Sequence, residues 1–316
     1  MPLISIIMSS YNHEKFISIA IESVLNQTIN NLELIIVDDS SKDNSRRIIQ
    51  DYNKKDSRIK ILFHEKNKGI AKTLNDGLEI AKGKFISFIA SDDVWSRDKL
   101  EKQVEILKKN ENLIVWSEGK IIDADGNPTG KLFTHMHDAS KKKKSGNIFK
   151  ELIQANFIFG SSLIFKRENA KSFIFNTALK YLNDYQFVVD LARRYEYFFI
   201  PEPLAMYRIH GGNTILLDKE GWQIDQIIIN DYFLNKYSDE ISKSVKSKIC
   251  LRSGIIFSSM GKKSKAMQYV YNAIKANPFN PDYFFYLFFI STNKNGFIHN
   301  FLRKGYKCYE KLIQKN

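Results

Sequence analysis

The first 120 residues alternate apolar runs with segments of helical periodicity, and this alternation restricts the fold more than any other feature of the chain. Leu3 to Ser9, Leu32 to Val37, Ile59 to Phe63, Phe85 to Ala90 and Leu113 to Trp116 are short, nearly continuous apolar runs of strand length. Between them Ile17, Ala20, Ile21, Val24 and Leu25 recur at helical spacing, as do Ile48, Ile49 and Tyr52, then Ile70, Leu74, Leu78 and Ala81, and last Leu100, Val104 and Leu107. Strands that alternate with helices predict an α/β fold whose mainly parallel sheet is covered on both faces.

Ligands of such sheets bind beyond the carboxyl ends of the strands, so the residues after each apolar run are the candidate site. The first run ends in Ser9, Ser10, Tyr11 and Asn12, the second in Asp38, Asp39, Ser40 and Ser41, and the fourth in Ser91, Asp92 and Asp93. Adjacent carboxylates oppose each other's ionisation unless a cation or hydrogen-bond donors offset them. A divalent ion held by one or two carboxylates and completed by substrate phosphates is the expected solution, which points to Mn²⁺ or Mg²⁺ and a nucleotide diphosphate. Gly69, Gly77 and Gly83 form neither a G-x-G-x-x-G turn nor a P-loop, so phosphate is expected on the metal and not in a glycine cradle. Strand-terminating or helix-capping roles for Asp38 and Asp39 are the plain structural alternative.

Residues 117–150 predict a loop-rich connection, with a turn at Asp125, Gly126 and Asn127 before Pro128. After it come a helix near Phe149 to Gln154, a strand at Ser162 to Phe165, and a helix from Asp184 with Phe187, Leu191 and Ala192 inward. Tyr197 to Ile200 predicts a strand ended by Pro201 and Pro203. Beyond about residue 216 the pattern is helical throughout, and Gly261, Ala266, Ala273 and Pro278 fit one tetratricopeptide-like helix pair.

The chain's +13 net charge is concentrated: residues 241–316 hold fourteen Lys or Arg against only Asp282 and Glu310. An anionic partner is therefore expected at that end, where Phe279, Tyr283, Phe284, Phe285, Tyr286, Phe288 and Phe289 interleave with the basic residues. The alternatives there are a helical core with a solvated basic face, peripheral docking on an anionic leaflet, and nucleic-acid binding. The near-neutral first 240 residues and their acidic crevice argue against nucleic acid. Cys250 and Cys308 have no paired spacing, which suits a reducing compartment. Neither a signal peptide nor an apolar run long enough to span a bilayer is visible, so a cytoplasmic protein is expected, with peripheral contact to the inner face of the membrane.

The sequence resembles the family 2 glycosyltransferases, which have the GT-A fold. The resemblance rests on SIIMSSYN at 5–12, AIESVLNQT at 20–28, ELIIVDDSSKDNS at 33–45, NKGIAKTLNDGLEIAKGKFISFIASDD at 67–93, FGSSLIFKRE at 159–168, NDYQFVVDLARR at 183–194 and YRIHGGN at 207–213. It implies a GT-A catalytic domain over 1–215, with a nucleotide-binding half at 1–116 and an acceptor-binding half at 117–215, followed by a basic helical region at 216–316.

By that resemblance Asp39 contacts the nucleobase, Ser9 and Tyr11 line the same pocket, Asp92 approaches the ribose and Asp93 binds the metal. Asp184 matches the general base of inverting members, although Asn183 stands where most write Glu. Arg208 and His210 fall where many members carry a donor-closing segment, and His210 is a further candidate for the metal. Lys72 stands as either a replacement for an arginine that reaches the base or phosphate, or a solvated helix lysine. The activity implied is inverting transfer from a UDP-sugar to a glycan or lipid-linked glycan of the bacterial surface. A signalling receiver and a catalytically inactive nucleotide-binding relative are the competing readings. The receiver is disfavoured by the second acidic cluster and Asp184, the inactive relative by the intact aspartates.

Overall fold

The computed structural model describes residues 1–170, 173–213 and 218–291, in two compact units, 1–210 and 211–316. The first unit is built on a nine-stranded sheet of β1 (Ile4–Ser10), β2 (Leu32–Asp38), β3 (Ile59–Phe63), β4 (Phe85–Ala90), β5 (Val94–Trp95), β6 (Ile114–Ile122), β7 (Pro128–Leu132), β8 (Ile164–Lys166) and β9 (Tyr197–Arg208). Their order is β3-β2-β1-β4-β8-β6-β9-β5, with β7 paired to β6.

The half formed by β3, β2, β1 and β4 is wholly parallel, as the alternation predicts. Every residue of β2 is buried, which is why that strand reads as a continuous apolar run and not as an alternating one. The helices Ile17–Leu25, Ser45–Lys55 and Ile70–Ile80 connect these strands, and Lys99–Lys109 leads from β5 to β6; they turn most of the expected apolar positions inward, but Ile70, which opens its helix, is 41% exposed. Gly83 enters β4 where a Cβ would lie 2.4 Å from the Ser5 backbone nitrogen, so no side chain fits without moving β1.

The chain runs from β1 outward to β2 and β3 and then returns to the other side of β1 with β4. That reversal opens the crevice between the ends of β1 and β4. In register, Ser10 faces Asp38 of β2 and Ser9 faces Ala90 of β4, so the three polar strand ends finish level with one another.

The second half of the sheet departs from the sequence expectation in three places. β6 continues to Ile122 and pairs with β7, so part of the stretch expected as loop is a hairpin; its turn is the anticipated one, with Gly126 at φ +92° and the Asp123 carboxylate accepting from the Asn127 backbone. β9 does not stop at Pro201 but runs on to Arg208 between β6 and β5. Register shifts opposite Ser117 and Glu118 absorb the prolines, which cannot donate to a ladder. β8 pairs antiparallel with both β4 and β6 and begins at Ile164, two residues later than the apolar run that announced it.

The second unit is helical over its described residues, with helices Lys219–Lys236, Lys243–Ser259, Lys263–Ala276 and Pro281–Ser291. The expected helix pair forms here: Ala266, Val270 and Ala273 are fully buried, and Gly254 lets the facing helix approach so closely that a Cβ would lie 2.8 Å from Val270. Cys250 is a buried thiol whose pKa burial raises to about 11, that of an inert packing residue. Phe279, Phe284, Phe285 and Phe288 are half or more exposed. Cys308, the Phe289 side chain and the basic residues beyond 291 lie outside the described residues.

Candidate active site

The two acidic pairs after β2 and β4 have divided roles. Asp38 is fully buried and accepts from Ser10 Oγ at 3.0 Å, from the Ser41 backbone at 3.0 Å and from Arg46 Nε at 2.8 Å, so its carboxylate ties three segments together. Asp39 points the other way. Its Oδ1 meets His64 Nδ1 at 2.7 Å and accepts from the Lys68 backbone at 2.8 Å, while Oδ2 accepts, among the described residues, from the Gly69 backbone alone, at 2.8 Å. A carboxylate oxygen accepts two hydrogen bonds, so among those residues Oδ2 has room for one more.

His64 continues the chain of contacts. Its Nε2 lies 3.0 Å from Asp76 Oδ2, and Asp76 is paired in turn with Lys72, which lies four residues back on the same helix and is partly exposed. Lys72 therefore reaches Asp39 only through Asp76 and His64. An open cleft of about 620 Å³ is lined here by Leu62, Phe63, His64, Glu65, Lys66, Lys68 and Asp76. Tyr11, beyond β1, is 44% exposed, and the backbone beside it is tight: Asn12 and Ser40 both take positive φ, +54° and +66°.

Beyond β4 the two aspartates differ again. Asp92 faces two imidazoles, with His210 Nε2 at 3.0 Å from Oδ2 and His13 Nδ1 at 3.9 Å from Oδ1. One ligand atom from each of His13, Asp92 and His210 lies within 4.8 Å of the others. Asp93 is engaged by the protein instead: Ser161 Oγ donates to it at 2.5 Å and the Arg208 backbone at 3.3 Å. Burial and the charge of Asp92 push Asp93 well above the usual carboxylate range. Burial presses Asp92 the same way, but the His210 hydrogen bond and the two histidine charges outweigh it and hold Asp92 low.

His210 arrives because β9 pairs with β5 and runs back past the Asp92–Asp93 turn. Arg208, the last residue of β9, is buried. Its Nε donates to the Asp92 carbonyl at 2.9 Å, its Nη1 donates to the Ala124 carbonyl at 3.0 Å, and its guanidinium lies 5.0 Å over the Phe16 ring. These contacts brace the aspartate turn. His13, which the sequence reading did not single out, donates its backbone N–H to Ser45 Oγ at 3.0 Å, and its ring lies 5.5 Å from that of His210.

One carboxylate, two imidazoles and the oxygens of a diphosphate suit Mn²⁺ better than Mg²⁺, which keeps to oxygen ligands. The donor atoms of His13, Asp92 and His210 lie within 4.8 Å of one another, close enough for one divalent ion to be shared among them.

Asp184 stands second in the helix Asn183–Ala192, where the helix terminus favours its anion. Desolvation outweighs this, and although the Tyr185 and Asp184 backbone N–H groups pull the other way, its carboxyl is raised to about 6. A Cβ on Gly160 would lie 3.9 Å from Asp184 Oδ2. The next residue, Ser161, is the donor to Asp93. One short loop thus bonds to the aspartate turn and passes near Asp184.

The family model described as "Glycosyl transferase family 2" matches residues 5–173. The glycosyltransferase TuaG of Bacillus subtilis (strain 168), named for teichuronic acid biosynthesis, is 41% identical over 138 residues, 44% of this chain and 54% of its own. The "UDP-Glc:alpha-D-GlcNAc-diphosphoundecaprenol beta-1,3-glucosyltransferase WfgD" of Escherichia coli is 46% identical over 121 residues, 38% of this chain and 47% of its own. The chain thus spans about half the length of these two curated relatives. Among solved structures, S. aureus TarS 1–349 in complex with UDP-GlcNAc superposes with a TM-score of 0.67 at 18% identity, over 98% of this chain and 92% of that one. The mannosyltransferase PcManGT from Pyrobaculum calidifontis, in complex with GDP-Man and Mn²⁺, gives 0.60 at 15% identity, over 99% and 86%. At these identities the structural likeness establishes the GT-A architecture and nothing finer.

Proposed function

The chain belongs to glycosyl transferase family 2, and on that premise we propose that it moves a sugar from a nucleotide-diphosphate donor, a UDP-sugar, to a hydroxyl of a glycan acceptor with inversion. The observation that carries this reading is the loop at Gly160 and Ser161, which joins the aspartates beyond β4 to Asp184 through a single turn of chain. Donor and acceptor carboxylates are thereby held at one place in the fold, as displacement at an anomeric carbon requires.

In this proposal the cleft beside His64 takes the nucleobase, and the spare lone pair of Asp39 Oδ2 accepts its imide N–H, with Tyr11 and Ser9 alongside. His64 and Asp76 fix the orientation of Asp39. Asp92 with His210 and His13 would hold the ion, because their donor atoms lie together, while Asp93, which accepts from Ser161 and from the Arg208 backbone, would shape the turn beside it. Mn²⁺ or Mg²⁺ bound there would neutralise the departing diphosphate. Asp184 removes the acceptor's proton; a carboxyl raised to about 6 is ionised at neutral pH and more basic than an exposed one. Arg208 braces the site from behind.

The names of TuaG and WfgD support a bacterial surface glycan, and WfgD's supports a lipid-linked acceptor. Residues 241–316, with their basic surplus and exposed phenylalanines, would then bring the enzyme to an anionic membrane on its cytoplasmic side. Among the described residues no helix is long and apolar enough to cross a membrane. The test is a panel of nucleotide sugars assayed for transfer and hydrolysis with Mn²⁺, Mg²⁺ or chelator. A UDP-sugar turned over only with metal is expected. Equal turnover in chelator would end the metal assignment, and no turnover of any donor would end the reading as a whole.

A further inference from the structure

The first residue of the helix Lys99–Lys109 is a lysine with no solvent exposure at all and, among the described residues, no carboxylate within ion-pairing distance. Burial pulls its pKa well below the usual range, so the contacts that keep it in place need a reason. Three groups receive the ammonium: Ser87 Oγ at 3.2 Å, Gln103 Oε1 at 2.9 Å and the face of the Trp95 ring, whose centroid is 3.7 Å away. A charged ammonium has three N–H donors, and these three partners match them one for one, against the desolvation that lowers its pKa.

Each of these three partners passes a hydrogen bond onward, and the three recipients are consecutive. Trp95 Nε1 donates to the Ser161 carbonyl at 2.8 Å, Gln103 Nε2 to the Ser162 carbonyl at 2.7 Å, and Ser87 Oγ to the Leu163 carbonyl. The directions are consistent throughout: a backbone carbonyl only accepts, so Gln103 must turn its NH₂ to Ser162 and Ser87 its proton to Leu163, which leaves both side-chain oxygens to accept from Lys99 Nζ. The loop so gripped is the one whose Ser161 hydroxyl donates to Asp93 and whose Gly160 lies against Asp184.

We propose that Lys99 is a positioning residue: through Trp95, Gln103 and Ser87 its buried ammonium fixes the loop 160–163 and so sets the spacing between the aspartate turn and Asp184. The proposal rests on the transferase reading for its catalytic consequence, but its structural content does not.

The test compares Lys99→Met, Trp95→Phe and Ser87→Ala with the wild-type full chain in two measurements. In steady-state kinetics Lys99→Met is expected to lower kcat at least tenfold with the donor KM within threefold, because the nucleotide-binding side is untouched. Trp95→Phe keeps an aromatic face while deleting the bond to the Ser161 carbonyl and part of the ring; it and Ser87→Ala are expected to lower kcat by smaller factors in the same direction. In amide hydrogen exchange the N–H groups of Ser162 and Leu163 should lose protection in all three variants while β1 and β2 keep theirs. Protection lost evenly across the sheet, or kcat and KM changed in parallel, would reduce Lys99 to a packing residue and overturn the proposal. Should Lys99→Met fail to fold, the two milder variants decide: kcat and loop exchange both within twofold of wild type would equally overturn it. If the wild type turns over no nucleotide sugar, the transferase reading fails by itself, and the exchange measurement still decides whether Lys99 holds the loop.

Discussion

Asp184 couples function to stability in one side chain. With its carboxyl raised from the usual 3.8 to about 6, the folded protein binds this proton more tightly than the unfolded chain does. Ionised Asp184 therefore destabilises the fold by about 3 kcal/mol, a cost complete above pH 6 and absent below about pH 4. Turnover has the opposite dependence, since the base works ionised: kcat should fall about tenfold per pH unit below pH 6 and level off above it. Asp184→Asn is expected to abolish transfer, leave UDP binding intact by calorimetry, and raise Tm at pH 8 but not at pH 4. Equal loss of binding and turnover would remove Asp184 as the base. The two aspartates beyond β4 are separated by a metal titration. Asp92→Asn and His210→Ala should raise the half-saturating Mn²⁺ concentration by about 10- to 100-fold or more, whereas Asp93→Asn should leave it within threefold while lowering kcat. A larger effect from Asp93→Asn than from Asp92→Asn would return the ion to Asp93. Sequence reading singled out Asp39, Asp92, Asp93 and Asp184 because carboxylates at strand ends and helix starts are conspicuous. It passed over His13, which had a signal in its place just after the polar end of the first strand, and Lys99, which had none, since a lysine opening an amphipathic helix ordinarily reads as solvated.

At the scale of elements, the parallel half of the sheet was legible because each of its strands is an apolar run flanked by a helix with 3.6-residue periodicity. The starts of β6, β8 and β9 were legible as apolar runs too, but β5, β7, the far halves of β6 and β9 and the pairing order were not, because those strands are short or interrupted and their partners are distant in sequence: Val94 pairs with Met206, and Ile114 with Tyr197. No local pattern announces such pairings. Two glycines give a graded test of how tightly elements meet. At Gly83 an added Cβ meets the backbone of β1, which cannot yield, so Gly83→Ala should cost about 3 kcal/mol; at Gly254 it meets the movable Val270 side chain, and Gly254→Ala should cost nearer 1 kcal/mol. Urea unfolding of each variant measures both. A Gly83→Ala protein as stable as wild type would mean that β1 and the start of β4 are less closely joined than the geometry shows.

For the molecule as a whole, charge is divided between the units. The acidic crevice lies in the first, and the +12 surplus of residues 241–316 lies in the second. Full-length protein is expected to sediment with vesicles containing anionic lipid and not with neutral ones, and to be released as ionic strength rises. Equal recovery with neutral vesicles would reject an electrostatic attachment. The late return of β9 to β5 has a consequence for biogenesis. On a ribosome the first 90 residues can assemble β1 to β4 and the Asp38 and Asp39 contacts as soon as they emerge, but Arg208 and His210 are translated more than a hundred residues after Asp92. On the proposed assignment, a nascent chain stalled before residue 200 would hold a finished base pocket beside half a metal centre, and the ability to take up Mn²⁺ would be among the last properties the first unit acquires.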